Sequence, residues 1–119
     1  MKKVLIVEDD PVWAKLIRRY VSEAGAESRV VIAPGQALEM IDDWYPDALV
    51  LDMLLASETG MALLNELKSH EDLANLPIIV CSNVGITHDD MEPFGVRAVL
   101  DKSTMTPAQV RQALTEVLQ

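Results

Sequence analysis

Lys3-Val4-Leu5-Ile6-Val7-Glu8-Asp9-Asp10-Pro11 is the stretch that decides the fold. Four successive apolar residues, mostly β-branched, make a run of strand length that does not alternate with polar residues. Such a run suits a strand covered on both faces, as in a parallel sheet. It stops abruptly at three carboxylates, and Asp10-Pro11 then reads as a helix N-cap with proline at the first helical position. The chain therefore opens as strand, acidic junction, helix.

Working outward, the same kind of run recurs at Arg29–Ile32, Ala48–Leu51, Pro77–Cys81 and Arg97–Leu100. Helical periodicity fills the intervals. Trp13, Leu16, Ile17, Tyr20 and Ala24 form a stripe that Gly25 ends. Pro34–Trp44 and Met61–His70 read as the second and third helices. Thr87-His88-Asp89-Asp90 opens a fourth, which Pro93 and Gly95 limit to a turn or two. Thr106-Pro107-Ala108-Gln109 is a capping box before Val110, Ala113, Leu114, Val117 and Leu118. Five strand–helix units predict one α/β domain over residues 1–119. Its fold is a flavodoxin-like (βα)5 sandwich, whose five-stranded parallel sheet runs in the order 2-1-3-4-5.

Composition narrows the function. The 119 residues carry 19 Asp+Glu against 10 Lys+Arg, a formal charge of −9. That balance argues against direct nucleic-acid binding, which needs a basic footprint. No apolar run reaches the ~18 residues of a membrane span, and no signal-peptide pattern follows Lys2-Lys3. The single cysteine, Cys81, excludes an intrachain disulfide. With these signs the reading places the protein in the reducing cytoplasm, without membrane insertion.

In such a sheet, ligands bind beyond the carboxyl ends of the strands, near the switch point between strands one and three. Glu8 and Asp9 end strand one, Asp52 strand three, Ser82 strand four and Asp101-Lys102 strand five. Converging carboxylates repel, and a hard cation such as Mg²⁺ relieves them. Lys102 supplies a cation for a phosphate oxygen, and Ser82 a hydroxyl donor. A carboxylate can itself be the nucleophile in phosphoryl transfer, so the set makes a coherent phospho-acceptor site. The other polar features read as structure. Asp10 is a helix cap, Cys81 a core thiol, and His70 and His88 are surface residues. Trp44-Tyr45 packs at a helix end, and Asp89, Asp90 and Glu92 form a solvated face.

These residues resemble the receiver domains of two-component response regulators, over essentially the whole chain. The opening strand with Glu8 and Asp9 resembles the family's acidic pair. Pro46-Asp47-Ala48-Leu49-Val50-Leu51-Asp52-Met53, with Gly60 eight residues after Asp52, resembles its phosphoacceptor strand and loop. Pro77–Ser82 resembles the fourth strand, and Val99-Leu100-Asp101-Lys102 the fifth. The resemblance implies phosphorylation of Asp52 by a histidine kinase or histidine phosphotransfer protein. Ser82 becomes the switch hydroxyl and Lys102 the phosphoryl contact. The metal site becomes Mg²⁺ on Glu8, Asp9, Asp52 and the backbone carbonyl of Leu54. It implies no enzyme beyond self-phosphorylation and autodephosphorylation, and output through a downstream effector protein.

Four positions depart from the family pattern: Ala56, Asn83, Val99 and Ser103 stand where proline, a small residue, an aromatic and proline are usual. Asn83, Val99 and Ser103 favour an alternative, a receiver-like scaffold that acts by protein–protein interaction without phosphorylation. A haloacid-dehalogenase-like phosphatase would need a second Asp two residues after Asp52, where Leu54 stands. In the family, the side chains two positions after the acceptor and two after the switch hydroxyl influence hydrolysis, and here these are Leu54 and Val84. Neither can hydrogen-bond a water, so a phosphorylated Asp52 should decay slowly. Time-resolved intact mass checks this: Leu54→Asn should speed the loss, and rapid loss unaffected by that change would contradict it.

Overall fold

Strand β1 (Lys3–Val7) is the hydrophobic axis on which the rest is assembled. Val4, Leu5, Ile6 and Val7 are fully buried, which requires protein on both faces and both edges. The computed structural model describes residues 1–52, 57–82 and 87–119. Leu54, Ala56, Asn83 and Val84 lie outside the described residues. Four further strands follow: β2 (Glu27–Val31), β3 (Ala48–Asp52), β4 (Ile78–Ser82) and β5 (Val96–Asp101). All pair in parallel in the order β2-β1-β3-β4-β5, as expected from the sequence. Helices α1 (Pro11–Glu23), α2 (Pro34–Trp44), α3 (Ser57–Ser69), α4 (His88–Met91) and α5 (Pro107–Val117) cover the two faces. None of them is long and apolar enough to cross a membrane.

The period-2 geometry of strands divides the core into two layers. Leu5, Val7, Leu49, Leu51, Ile78 and Val80 face α2, α3 and α4, meeting Ile41, Trp44, Leu64, Leu67 and Met91. Val4, Ile6, Val50, Ile79, Cys81 and Leu100 face α1 and α5, meeting Ile17, Val21, Val110 and Leu114. Between Ile78 and Ile79 the β4–β5 register slips by one residue, Val96 pairing with the former and Ala98 with the latter. Arg97 is the extra residue of this β-bulge, and it is exposed.

Caps end the helices where the sequence places them. Asp10 Oδ1 accepts from the Val12 backbone N–H at 2.9 Å. Reciprocal capping boxes join Thr87 to Asp90 and Thr106 to Gln109. Gly25 (φ 80°), just past α1, takes the left-handed conformation that a side chain disfavours. The fourth helix is a single turn, followed by a 3₁₀ turn at Glu92–Phe94, so its expected brevity holds.

Most strand ends shift by a residue from the sequence reading, and β2 and the third helix differ by more. The second strand runs from Glu27 to Val31, and Ile32 is 60% exposed. An edge strand tolerates polar residues, so apolar content misjudges its ends. The third helix starts at Ser57 rather than Met61, because its polar first turn carries no hydrophobic period. On α1 the buried residues are Ala14, Ile17 and Val21, while Trp13, Leu16 and Tyr20 are half-buried and Ala24 is exposed. At the helix end, Trp44 packs into the core, whereas Tyr45 is 78% exposed with φ 53°.

The end of β2 at Val31, before an exposed Ile32, has a measurable consequence. Leu49→Ala in the central strand should cost roughly 2–5 kcal/mol in urea unfolding, by cavity formation. Ile32→Ser should change stability by no more than about 0.5 kcal/mol. A comparable loss from both would contradict this layering.

Candidate functional site

Strand parity decides which side chains meet at the carboxyl edge of the sheet. Glu8 lies two residues beyond Ile6, Asp52 two beyond Val50, and Lys102 two beyond Leu100. All three predecessors face the α1/α5 layer. Glu8, Asp52 and Lys102 therefore leave the core on one side, and β1 and β3 are adjacent. Carboxylate oxygens of Glu8, Asp9 and Asp52 lie within 4.8 Å of one another. Glu8, Asp52 and Lys102 are buried, whereas Asp9 is exposed.

The Lys102 ammonium sits against two of these carboxylates. Its Nζ lies 2.6 Å from Glu8 Oε1 and 3.2 Å from Asp52 Oδ2. Glu8 Oε2 accepts the Asp10 backbone N–H at 3.3 Å, and the Glu8 backbone N–H is bound to the Val31 carbonyl at 3.0 Å. Ser82 is buried one residue past Cys81, the register partner of Asp52, and its carbonyl accepts the Lys102 N–H at 3.0 Å. The fold thus brings Glu8, Asp9, Asp52 and Lys102 together, with Ser82 on the adjoining strand end. The fourth residue expected at the metal site, Leu54, lies outside the described residues.

Two features of the site were missed in sequence. Trp13 places its indole ring 5.0 Å from Lys102 Nζ, centroid to nitrogen, although its helical spacing suggested a core residue. The signal available was its position in the first turn after the acidic junction. Asp101 caps the turn beyond Lys102, its Oδ1 accepting the Ser103 N–H at 2.8 Å and the Ser103 hydroxyl at 2.6 Å. Those bonds hold the Asp101 carboxyl below the usual carboxylate range. Ser103 therefore fits the turn as a hydrogen-bonding residue.

Three carboxylates against one ammonium leave the site negative. Burial, then hydrogen bonding to Asp52 and its charge, push the Glu8 carboxyl up to about 7 despite the Lys102 bond. Burial opposes the charge of Lys102, but the Glu8 hydrogen bond and the two carboxylates outweigh it, so the ammonium is held above its ordinary value. Cys81, buried beside the site, has its thiol pushed up to about 12 and is inert. The carboxylate oxygens form a donor set suited to a hard divalent cation, which would relieve the excess charge.

The family model for the response regulator receiver domain matches residues 4–115. The chain belongs to the response regulator receiver family. This receiver is 27% identical over 108 residues to the polar-differentiation response regulator DivK of Brucella ovis, spanning 89% of this chain and 88% of DivK. A putative response regulator from Chloroflexus aurantiacus superposes with a TM-score of 0.86 at 27% identity, covering 98% of this receiver and 97% of that chain. The fold is also that of the receiver domain of a Pseudomonas aeruginosa sensor histidine kinase, solved with a magnesium ion in its active-site cleft. That likeness has a TM-score of 0.82 at 22% identity and covers 99% and 98% of the two chains.

The raised Glu8 carboxyl predicts a pH signature for metal-free protein. The folded state binds this proton more tightly than the unfolded chain, whose carboxyl titrates near 4.5. Stability should therefore fall as pH rises from about 4.5 to about 7, by at most about 1.4 kcal/mol per pH unit. Glu8→Gln should flatten that slope in urea unfolding, and an unchanged slope would contradict the assignment.

Proposed function

We propose that this receiver, as one domain over residues 1–119, accepts a phosphoryl group on Asp52 and signals by binding a downstream protein. The observation that carries the reading is the convergence of Glu8, Asp9 and Asp52 oxygens, with the Lys102 ammonium against Glu8 and Asp52. The donor is a phosphohistidine of a histidine kinase or histidine phosphotransfer protein. An Asp52 carboxylate oxygen attacks phosphorus in line with the P–N bond. That bond breaks, and the departing imidazole keeps its electron pair and takes a proton.

Lys102 needs to move little to bind a phosphoryl oxygen, since its Nζ is already 3.2 Å from Asp52 Oδ2. Ser82, buried at the neighbouring strand end, offers its hydroxyl to another. A bound Mg²⁺ would neutralise phosphoryl charge, with Glu8, Asp9, Asp52 and the Leu54 carbonyl as its holders. The reading places the protein in the cytoplasm. The net charge of −9 supports output through a protein rather than nucleic acid.

Incubation with acetyl phosphate and Mg²⁺, followed by intact mass measurement, tests the reading. Wild type should gain one phosphoryl group, whereas Asp52→Asn and EDTA-treated protein should gain none. Lys102→Met should slow the gain about tenfold or more, by loss of charge stabilisation. No adduct on wild type, or an equal adduct on Asp52→Asn, would overturn it.

A further inference from the structure

The Lys102 ammonium is held from three directions. Glu8 Oε1 lies at 2.6 Å, Asp52 Oδ2 at 3.2 Å, and the Trp13 ring centroid at 5.0 Å. Trp13 stands in the first turn of α1, three residues after the cap Asp10, and is half-buried. An indole face attracts a cation through its quadrupole, and a partly desolvated pair is stronger than one in water.

The three contacts have different fates during the proposed reaction. Phosphorylation turns Asp52 from a carboxylate into an acyl phosphate, so Lys102 must exchange an Asp52 oxygen for a phosphoryl oxygen. Glu8, at 2.6 Å, draws the ammonium toward β1 before the phosphoryl group arrives. The ring sets no donor direction and gains no proton, so it can hold the ammonium while its oxygen partners change. Its half-buried body also covers Lys102 from the α1 side.

We propose that Trp13 is a positioning residue that retains the Lys102 ammonium against the acidic pocket through its aromatic face. The proposal rests on the phospho-acceptor reading above and adds a residue to it. It separates aromatic character from bulk. A Phe at this position keeps a π face, whereas a Leu keeps apolar packing alone.

The test uses the 119-residue chain and beryllofluoride with saturating Mg²⁺, titrated by amide NMR, for wild type, Trp13→Phe and Trp13→Leu. Trp13→Leu should bind beryllofluoride about three- to tenfold more weakly, and Trp13→Phe should stay within about twofold of wild type. In the ligand-free protein, the Lys102 ε-methylene protons should be shifted upfield by the ring. That shift should persist in part in Trp13→Phe and vanish in Trp13→Leu. Trp13→Met replaces Trp13→Leu if the latter loses a dispersed spectrum. Equal weakening by Phe and Leu, no weakening by Leu, or an unshifted Lys102 signal in wild type overturns the role of Trp13 while the phospho-acceptor reading stands. Failure of wild type to bind beryllofluoride overturns that reading and the role together.

Discussion

The buried ion pair between Lys102 and Glu8 is the constraint on which the site depends. It joins the last strand to the first across 94 positions of sequence, with Asp52 of the central strand as a second partner. Burying an ammonium and carboxylates is costly unless each is satisfied by the others. Among the described residues, no buried side-chain nitrogen or oxygen lacks a hydrogen-bond partner. The pairing is met only when β1, β3 and β5 are all in place, so the pocket is complete only in the folded sheet. Its excess of negative charge is then a property of the assembled fold rather than of any segment.

Core and site are built by one geometric rule. Alternate strand residues form two apolar layers, and the same alternation carries Glu8, Asp52 and Lys102 out of the α1/α5 layer together. The bulge at Arg97 is part of this arrangement. Val96 faces the α2/α3 layer, while Ala98 and Leu100 face the α1/α5 layer. One extra residue shifts the phase of β5. Were Arg97 paired as a regular strand residue, Lys102 would share the parity of Val96 and leave on the opposite face of the sheet, away from Glu8.

Much of this was legible in the chain. Fully buried strands must be apolar throughout, so β1, β3 and β4 announce themselves, and caps such as Asp10, Thr87 and Thr106 mark helix starts by side-chain chemistry. Edge strand β2 was misjudged because one open edge and a partly uncovered face remove the demand for apolar residues. The first turn of α3 was missed because polar residues there carry no period. The acidic junction and the strand-end lysine were legible as chemistry because charged residues rarely follow a buried strand without a partner.

The sequence by itself determined the strand–helix order, the sheet order and the identity of the groups at the strand ends. These follow from periodicity and from the right-handed crossover rule, both local in origin. Only the tertiary structure decided that Lys102 pairs with Glu8 at 2.6 Å, that Trp13 covers it, and that a bulge sets the phase of β5. Contacts between residues 89 and 94 positions apart depend on how the strands register and on which way each side chain leaves its strand. No local pattern encodes a register, because it is selected by the packing of both layers at once.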